Sequence, residues 1–448
     1  MTYISNTEAD RAEMLAAIGV RSFTELLAPL PESIRLKEPL DLPPALDEAA
    51  LVRHLQTLAA QNADLESHLC FLGAGIYDHF RPSVVGALAS RGEFATSYTP
   101  YQPEMSQGML QAIYEYQTLI CALTGMELAN ASMYDGATGL AEAALMAAAL
   151  TDRPEIVLSQ AVHPHYRQVM RTYLYSSGFQ LVEVPYTGTE SDLDALRRAV
   201  SDRTAGVAWQ HPNFFGALEN VSAYVGAAHR VGALAITSVD PISLGLLKPP
   251  GEYDVDIVVG EGQPLGSAMG FGGPLLGFFA CKKQFARSFP GRIVGATHDQ
   301  QGRRGYTMTL RTREQDIRRE KATSNICTNE ALLALAATIY LCELGKEGMR
   351  QVADLCLQKA HYARKRLTEL PGVSALFPDR PFFKEFAIRL PVAPETVNQR
   401  LLPHKIVGGL PLGPYHPELS DAMLLCVTET KTKEDIDRLV GAVRESIR

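Results

Sequence analysis

Between Glu155 and Lys283 the chain reads EIVLSQ (155–160), FQLVEVP (179–185), TAGVAWQ (204–210), ALAITSVD (233–240), VDIVVGE (255–261) and LLGFFACKK (275–283). Each run is short, apolar and rich in β-branched or aromatic residues, the pattern of strands buried on both faces of a sheet. Helical patterns lie between them. SDLDALRRAVSD (191–202) is opened by Ser191, and VSAYVGAAHRVG (221–232) is closed by Gly232. Strands alternating with helices predict an α/β fold with a mainly parallel sheet, in which LLGFFACKK runs antiparallel.

Working outward, Met109, Ile113, Tyr116, Ile120 and Leu123 repeat at helical spacing, with Ser106 as the expected N-cap and Gly125 as the expected C-cap. An alanine-rich helix follows. Beyond the strands come a long helix near 328–345, strands at VSALF, FKEFAIRL and MLLCVTET, and helices at 393–402 and 432–446, which together describe a smaller α+β domain. Before residue 70 there are helices around a crossing broken by Pro31, Pro39, Pro43 and Pro44. The expected division is therefore an N-terminal helical arm over 1–69, a large domain over 70–325 and a C-terminal α+β domain over 326–448. With so little core of its own, the arm is expected to wrap a larger body or a second subunit.

Composition narrows the function. Apolar residues make up 46% of the 448 and charged residues 21%, which excludes disorder and coiled coil. A formal charge of −8 offers no basic face for nucleic acid. No stretch approaches the length of a membrane span, and the N-terminus lacks an apolar signal core, so a soluble, cytoplasmic protein is expected. The seven cysteines have no C-x-x-C spacing and read as reduced thiols rather than metal ligands or a catalytic set.

Several residues fall where α/β sheets bind ligands, at the carboxyl ends of strands. In YDGATGLAEAALMAA (134–148), Gly136, Thr138 and Gly139 open a helix whose first N–H groups could hold a phosphate; a plain tight turn reads equally well. Asp240 ends a strand and could protonate a pyridine nitrogen, or simply cap a turn. His163 follows another strand and could stack on a flat cofactor. With His165 it also forms a His-x-His pair, but no neighbouring Cys, Asp or Glu completes a metal site. Asn213, in WQHPNFFG, could donate to a phenolate oxygen or shape its own turn.

Three long stretches carry a family resemblance: residues 96–144 (TSYTPYQPEMSQG through AEAA), 210–220 (QHPNFFGALEN) and 290–335 (PGRIVGATHDQQGRRGYTMTL through EALLAL). In these the chain resembles a fold-type I pyridoxal-phosphate (PLP) enzyme and, more narrowly, the N-terminal half of the glycine cleavage system P-protein. That family occurs as one fused chain or as separate α and β subunits, and the resemblance is to the α form. It implies a seven-stranded sheet, with Gly136, Thr138, Gly139, His163, Asn213 and Asp240 lining a cofactor pocket.

Such an enzyme needs a lysine in the loop after VDIVVGE to hold PLP as a Schiff base. The loop reads GEGQPLGSAMGFGGP, and Gln263 falls at the lysine position. Lys248, Lys282 and Lys283 lie at the wrong spacing. The resemblance therefore implies no catalytic residue on this chain. The pocket would be vestigial, with PLP on a lysine-bearing β subunit in an α2β2 assembly. Glycine and the lipoylated H-protein would be its substrates. KATSNICTN (321–329) matches a stretch that reaches a neighbour's cofactor phosphate in related enzymes, which makes Thr323, Ser324 and Asn325 candidates for the partner's site. A helix-capping role for Ser324 or Thr328 reads equally well. The basic run Arg311, Arg313, Arg318, Arg319 and Lys321, and the loop residues Tyr98, Tyr101 and Ser106, are further candidates for anion binding or a site mouth. Two other functions remain compatible with the pattern, a non-catalytic homodimeric scaffold and an independent PLP lyase or aminotransferase.

Overall fold

Alternate residues of a strand face opposite sides of a sheet, and in the computed structural model the neighbours in each predicted run enter two separate cores. The structure describes residues 5–38, 40–175, 177–187, 190–270, 273–310 and 324–448. Two units are distinguished, Met1–Asn62 and Ala63–Arg448. In the first, helices α1 (Glu8–Ile18) and α2 (Glu48–Ala59) bury none of their residues.

The second unit holds a seven-stranded sheet built from β1 (Leu128–Ala129), β2 (Glu155–Ser159), β3 (Gln180–Val184), β4 (Thr204–His211), β5 (Leu234–Val239), β6 (Ile257–Glu261) and β7 (Gly277–Cys281). Its order is β1-β7-β6-β5-β4-β2-β3. The pairs from β3 through β6 are parallel, and β7 is antiparallel to both β6 and β1.

One face of the sheet, with Val157, Val207 and Val258, packs on helices α3 (Gln107–Thr124) and α7 (Val221–Arg230) through Tyr116, Ile120 and Tyr224. The other, with Ile156, Leu158 and Val259, packs on α4 (Gly136–Thr151) and α5 (Pro164–Tyr175) through Leu140, Ala144 and Met170. The short helix α6 (Leu193–Ala199) is capped by Asp192, not Ser191, because Asp192 accepts from the amides of Asp194 and Ala195. Ser106 precedes α3 but its side chain makes no cap hydrogen bond, whereas Gly125 ends the helix in the left-handed region.

Helix α8 (Ala331–Thr368) is broken at Gly345, where φ is 57° and ψ −170°. Its first half gives Ala334, Ala337 and Tyr340 to the core of the large sheet. Its second half gives Ala360, Ala363 and Leu367 to the core of the C-terminal sheet, together with α10 (Lys433–Ser446), which follows α9 (Pro394–Leu401). That sheet is antiparallel and contains Ser374–Ala375, Glu385–Arg389, Leu410–Pro411 and Ala422–Cys426. Helix α8 thus contributes to the cores of both sheets. Residues Leu69–Cys70 pair in parallel with Ile406–Val407, so the chain starts this unit beside the C-terminal sheet and then crosses to the edge of the large one. Among the described residues no helix is long and apolar enough to cross a membrane.

Candidate functional site

The parallel register brings the ends of β2, β4, β5 and β6 to one edge, where His163, Asn213, Asp240 and Gln263 follow their strands. The N-terminus of α4 opens at the same edge. Gly136 N donates to Glu261 Oε2 (3.1 Å), which links the helix start to the end of β6. Glu261 Oε1 also accepts from the amides of Gln263 (2.9 Å) and Leu276 (2.9 Å). Burial pushes this carboxyl up to about 7 even though three amides favour its charged form. Thr138 N is taken by Asp135 Oδ1 (2.7 Å), and the Thr138 hydroxyl returns to Asp135 in a capping box. Gly136 is needed because a Cβ there would lie 2.4 Å from Tyr166 Oη; Gly139 sits at ordinary contact distance from Val259. The amides at this helix start are taken by the chain's own carboxyl groups.

At the other end of the edge, Asp240 Oδ2 is 2.7 Å from Lys384 Nζ, and Asp240 Oδ1 accepts from Ile242 N. Lys384 is only 1% exposed. Burial works to lower its pKa, but the charge and hydrogen bond of Asp240 together with the neighbouring Cys426 and Cys356 raise it overall. The same ammonium lies 3.5 Å from the centre of the Tyr77 ring and 3.0 Å from His79 Nε2. An ammonium can only donate, so His79 Nε2 accepts and Nδ1–H donates to Glu429 Oε2 at 2.7 Å. Burial, then the Lys384 charge, lowers the His79 pKa and keeps the ring neutral. Burial works to raise the Glu429 carboxyl, but the His79 hydrogen bond and the Phe80 amide hold it down to about 2. Cys356 Sγ stands 3.4 Å from the same carboxylate, so His79, Cys356 and Glu429 converge within 4.8 Å. Protons join these three groups, the thiol pKa is pushed well up by burial, and Lys384 abuts them; this is not the chemistry of a metal set.

The centre of the site is spanned by the main chain of Gly73–Phe80. Gln263, 1% exposed, accepts from Tyr77 N (2.9 Å) and donates to the carbonyls of Tyr77 (3.1 Å) and Ser267 (2.8 Å). His163 Nδ1 accepts from His165 N, so Nε2–H donates to Ala74 O at 2.9 Å; burial lowers its pKa to about 4. The ring packs edge-on to Phe214 and against Tyr166. Glu385 holds Ala74 N (2.6 Å) and Tyr77 Oη (2.8 Å), and burial pushes its carboxyl up to about 7. Asn213 is engaged in its own turn, accepting from Phe215 N and Ala217 N and donating to Glu219 Oε1.

The structure thus brings together Gly136, His163, Asp240 and Gln263, leaves Asn213 facing its own loop, and adds Tyr77, Glu261, Lys384 and Glu385, which sequence reasoning missed. Lys384 and Glu385 stood in FKEFAIRL, where two charges in an apolar strand were the available signal. PLP does not fit these residues: Lys384 occupies the pyridine partner, Glu261 the phosphate donor, and Gln263 carries no amine.

A second cluster lies around residues 324–330. Ser324 Oγ accepts from Ile326 N, while Asn325 is exposed and accepts from Tyr173 Oη at 3.4 Å. Cys327 N donates to Tyr134 Oη, and Arg292 donates to Cys327 O (2.7 Å) and Tyr101 Oη (3.1 Å). Thr328 Oγ1 lies 3.3 Å from Thr99 Oγ1 rather than capping α8. Tyr98 is largely exposed beside this loop. Thr323, Arg311, Arg313, Arg318, Arg319 and Lys321 lie outside the described residues.

Comparison with known proteins accords with this geometry. The family model described as glycine cleavage system P-protein matches residues 1–443. The chain is 53% identical over 445 residues to a probable glycine dehydrogenase (decarboxylating) subunit 1 of Desulfitobacterium hafniense, covering 99% of this chain and 100% of that one. It is likewise 53% identical over 444 residues to the Moorella thermoacetica protein of that name, covering 99% of each. A crystal structure of glycine decarboxylase (P-protein) of the glycine cleavage system, in inhibitor-bound form, superposes with a TM-score of 0.89 at 48% identity over 100% of both chains. A Burkholderia pseudomallei sphingosine-1-phosphate lyase, 17% identical with a TM-score of 0.67 over 93% of this chain and 94% of that one, shares the fold alone. On these matches, and with a seven-stranded fold-type I sheet, the chain belongs to the glycine cleavage system P-protein family.

Proposed function

We propose that this chain is the lysine-lacking subunit of a two-chain glycine decarboxylase whose other subunit carries the Schiff-base lysine and PLP. The observation that carries this reading is Gln263, buried at the lysine position with its amide bonded to Tyr77 and Ser267. The name "subunit 1" printed for the relatives supports a second chain.

In the assembled enzyme glycine loses CO2, and its aminomethyl group bonds to one sulfur of the lipoyl disulfide on H-protein. The other sulfur leaves as a thiol, so the disulfide is reduced as the glycine carbon is oxidised. Bound PLP supplies the electron sink for that step from the partner. This chain supplies surface. Asn325 and Ser324, with Thr323 beside them, are assigned to the partner's cofactor phosphate, as hydroxyl and amide donors suited to an oxyanion. The arm and the Tyr98 loop are assigned to the subunit contact in a cytoplasmic α2β2 assembly.

Co-expression with the lysine-bearing homologue tests the proposal by glycine-dependent exchange of labelled bicarbonate in the presence of lipoylated H-protein. Exchange is expected only when both chains are present. Full exchange by the homologue alone would overturn it.

A further inference from the structure

We infer that residues Ala74–Phe80 are a built-in plug which, together with Lys384, closes this chain's own cofactor pocket, so that the chain takes up no PLP even when a lysine is restored at position 263. This goes beyond the missing lysine, because loss of the amine alone would leave a cavity able to bind the cofactor without a covalent bond. It stands whether or not the partner reading is correct.

Each place a bound PLP would use is already filled. The stacking residue His163 donates to Ala74 O, and a Cβ built on Gly75 would lie 3.7 Å from its ring atoms. The partner for the ring nitrogen, Asp240, is paired with Lys384. A protonated pyridine brought to Asp240 would meet that ammonium as a like charge. Glu261 sits on the Gly136 amide, so a phosphate brought there would find that donor already taken by the chain's own carboxyl group. At the lysine position, Gln263 clasps the main chain of Tyr77 on both its N–H and its carbonyl. The Tyr77 ring lies beneath Lys384.

The plug is tied down along its length. Glu385 holds Ala74 N and Tyr77 Oη, Thr428 Oγ1 donates to Asp78 O at 2.5 Å, Lys431 pairs with Asp78, and Glu429 accepts from Phe80 N and His79. Lys384 immediately precedes Glu385, the first residue of a strand of the C-terminal sheet, so one short segment delivers both the clamp and the blocking cation. Gly73 lets the chain pass, since a Cβ there would lie 2.3 Å from Glu385 Oε1. Lys384 is no substitute for the missing amine: it sits at the carboxylate that serves the ring nitrogen, and the PLP aldehyde lies across the ring from that nitrogen.

The test uses the full two-chain complex, with the wild-type chain and with Q263K, saturated with PLP, reduced with borohydride and resolved by intact mass. The expected result is a pyridoxyl adduct on the partner and none on this chain in either complex. An adduct on the introduced lysine or on Lys384 overturns the inference. Because Q263K disturbs a buried amide, hydrogen exchange of the wild-type chain over residues 72–80 gives an independent reading. Strong protection that PLP leaves unchanged is expected, and exchange at the rate of exposed loops, or protection that appears only with PLP, overturns the plug. Loss of bicarbonate exchange in a complex that passes both measurements would instead count against the proposed function.

Discussion

Lys384 carries its ammonium to 2.7 Å from Asp240 Oδ2, and this buried ion pair joins the C-terminal sheet to the carboxyl edge of the large sheet. Removing one member of such a pair strands the other charge in a poor solvent. Lys384→Met is therefore expected to destabilise the chain by about 3–5 kcal/mol, read by urea unfolding at pH 8. A variant as stable as wild type at pH 8 would show that the pair contributes nothing.

Gln263 closes three hydrogen bonds with buried main-chain groups. Gln263→Ala leaves Tyr77 N, Tyr77 O and Ser267 O without that partner, at about 1–3 kcal/mol for each group that stays dry. The expected loss is about 3 kcal/mol in total, since water entering the vacated space recovers part of it. Thermal or denaturant unfolding measures it, and hydrogen exchange should rise first at Tyr77.

Glu385 titrates at about 7 in the fold against 4.5 for a free glutamate, because burial opposes its charge more than Lys384, Tyr77 and the Ala74 amide favour it. Between those two values the folded chain keeps a proton that the unfolded chain has released. Its contribution to stability is thus whole below pH 4.5 and is lost as pH rises through 7. Glu385→Gln keeps an acceptor for Ala74 N and a donor for Tyr77 Oη without the charge. It should match wild type at pH 4.5 and exceed it at pH 8, by at most about 3 kcal/mol at 1.36 kcal/mol per pK unit. His163 and His211, both pushed down to about 4 by burial, give the opposite slope in the same window, so the difference between the two proteins is the quantity to follow.

Asn325 is exposed, with one long hydrogen bond to Tyr173. Asn325→Ala should leave the isolated chain's unfolding curve unchanged within ~0.5 kcal/mol. In the complex it should weaken PLP retention about tenfold, the loss of one hydrogen bond to a charged phosphate. Equal PLP affinity in the two complexes would remove Asn325 from the partner's site.

Much of the large sheet was legible because parallel strands covered on both faces must be apolar throughout, and β5 and β6 announce themselves in that way. The residues at their ends could be placed for the same reason: Asp240 and Gln263 come one or two positions after a strand. What filled the space between them was not legible. Lys384 and Glu385 reach the site from another domain, and no local pattern tells which buried carboxylate a distant lysine will meet. The Tyr77 segment was invisible for a related reason, since its main chain makes the contacts and main-chain groups leave no mark on side-chain spacing. Capping erred by one residue at Ser191, where the neighbouring Asp192 competes for the same amides and wins with a charged acceptor.

Glu261 satisfies the Gly136 amide from within the chain. A ligand that satisfies a helix start from solution stabilises a fold only in proportion to how far its concentration exceeds its dissociation constant. Glu261 is covalently part of the chain, so its local concentration does not fall on dilution. The large domain therefore closes the start of α4 without drawing on any ligand from solution.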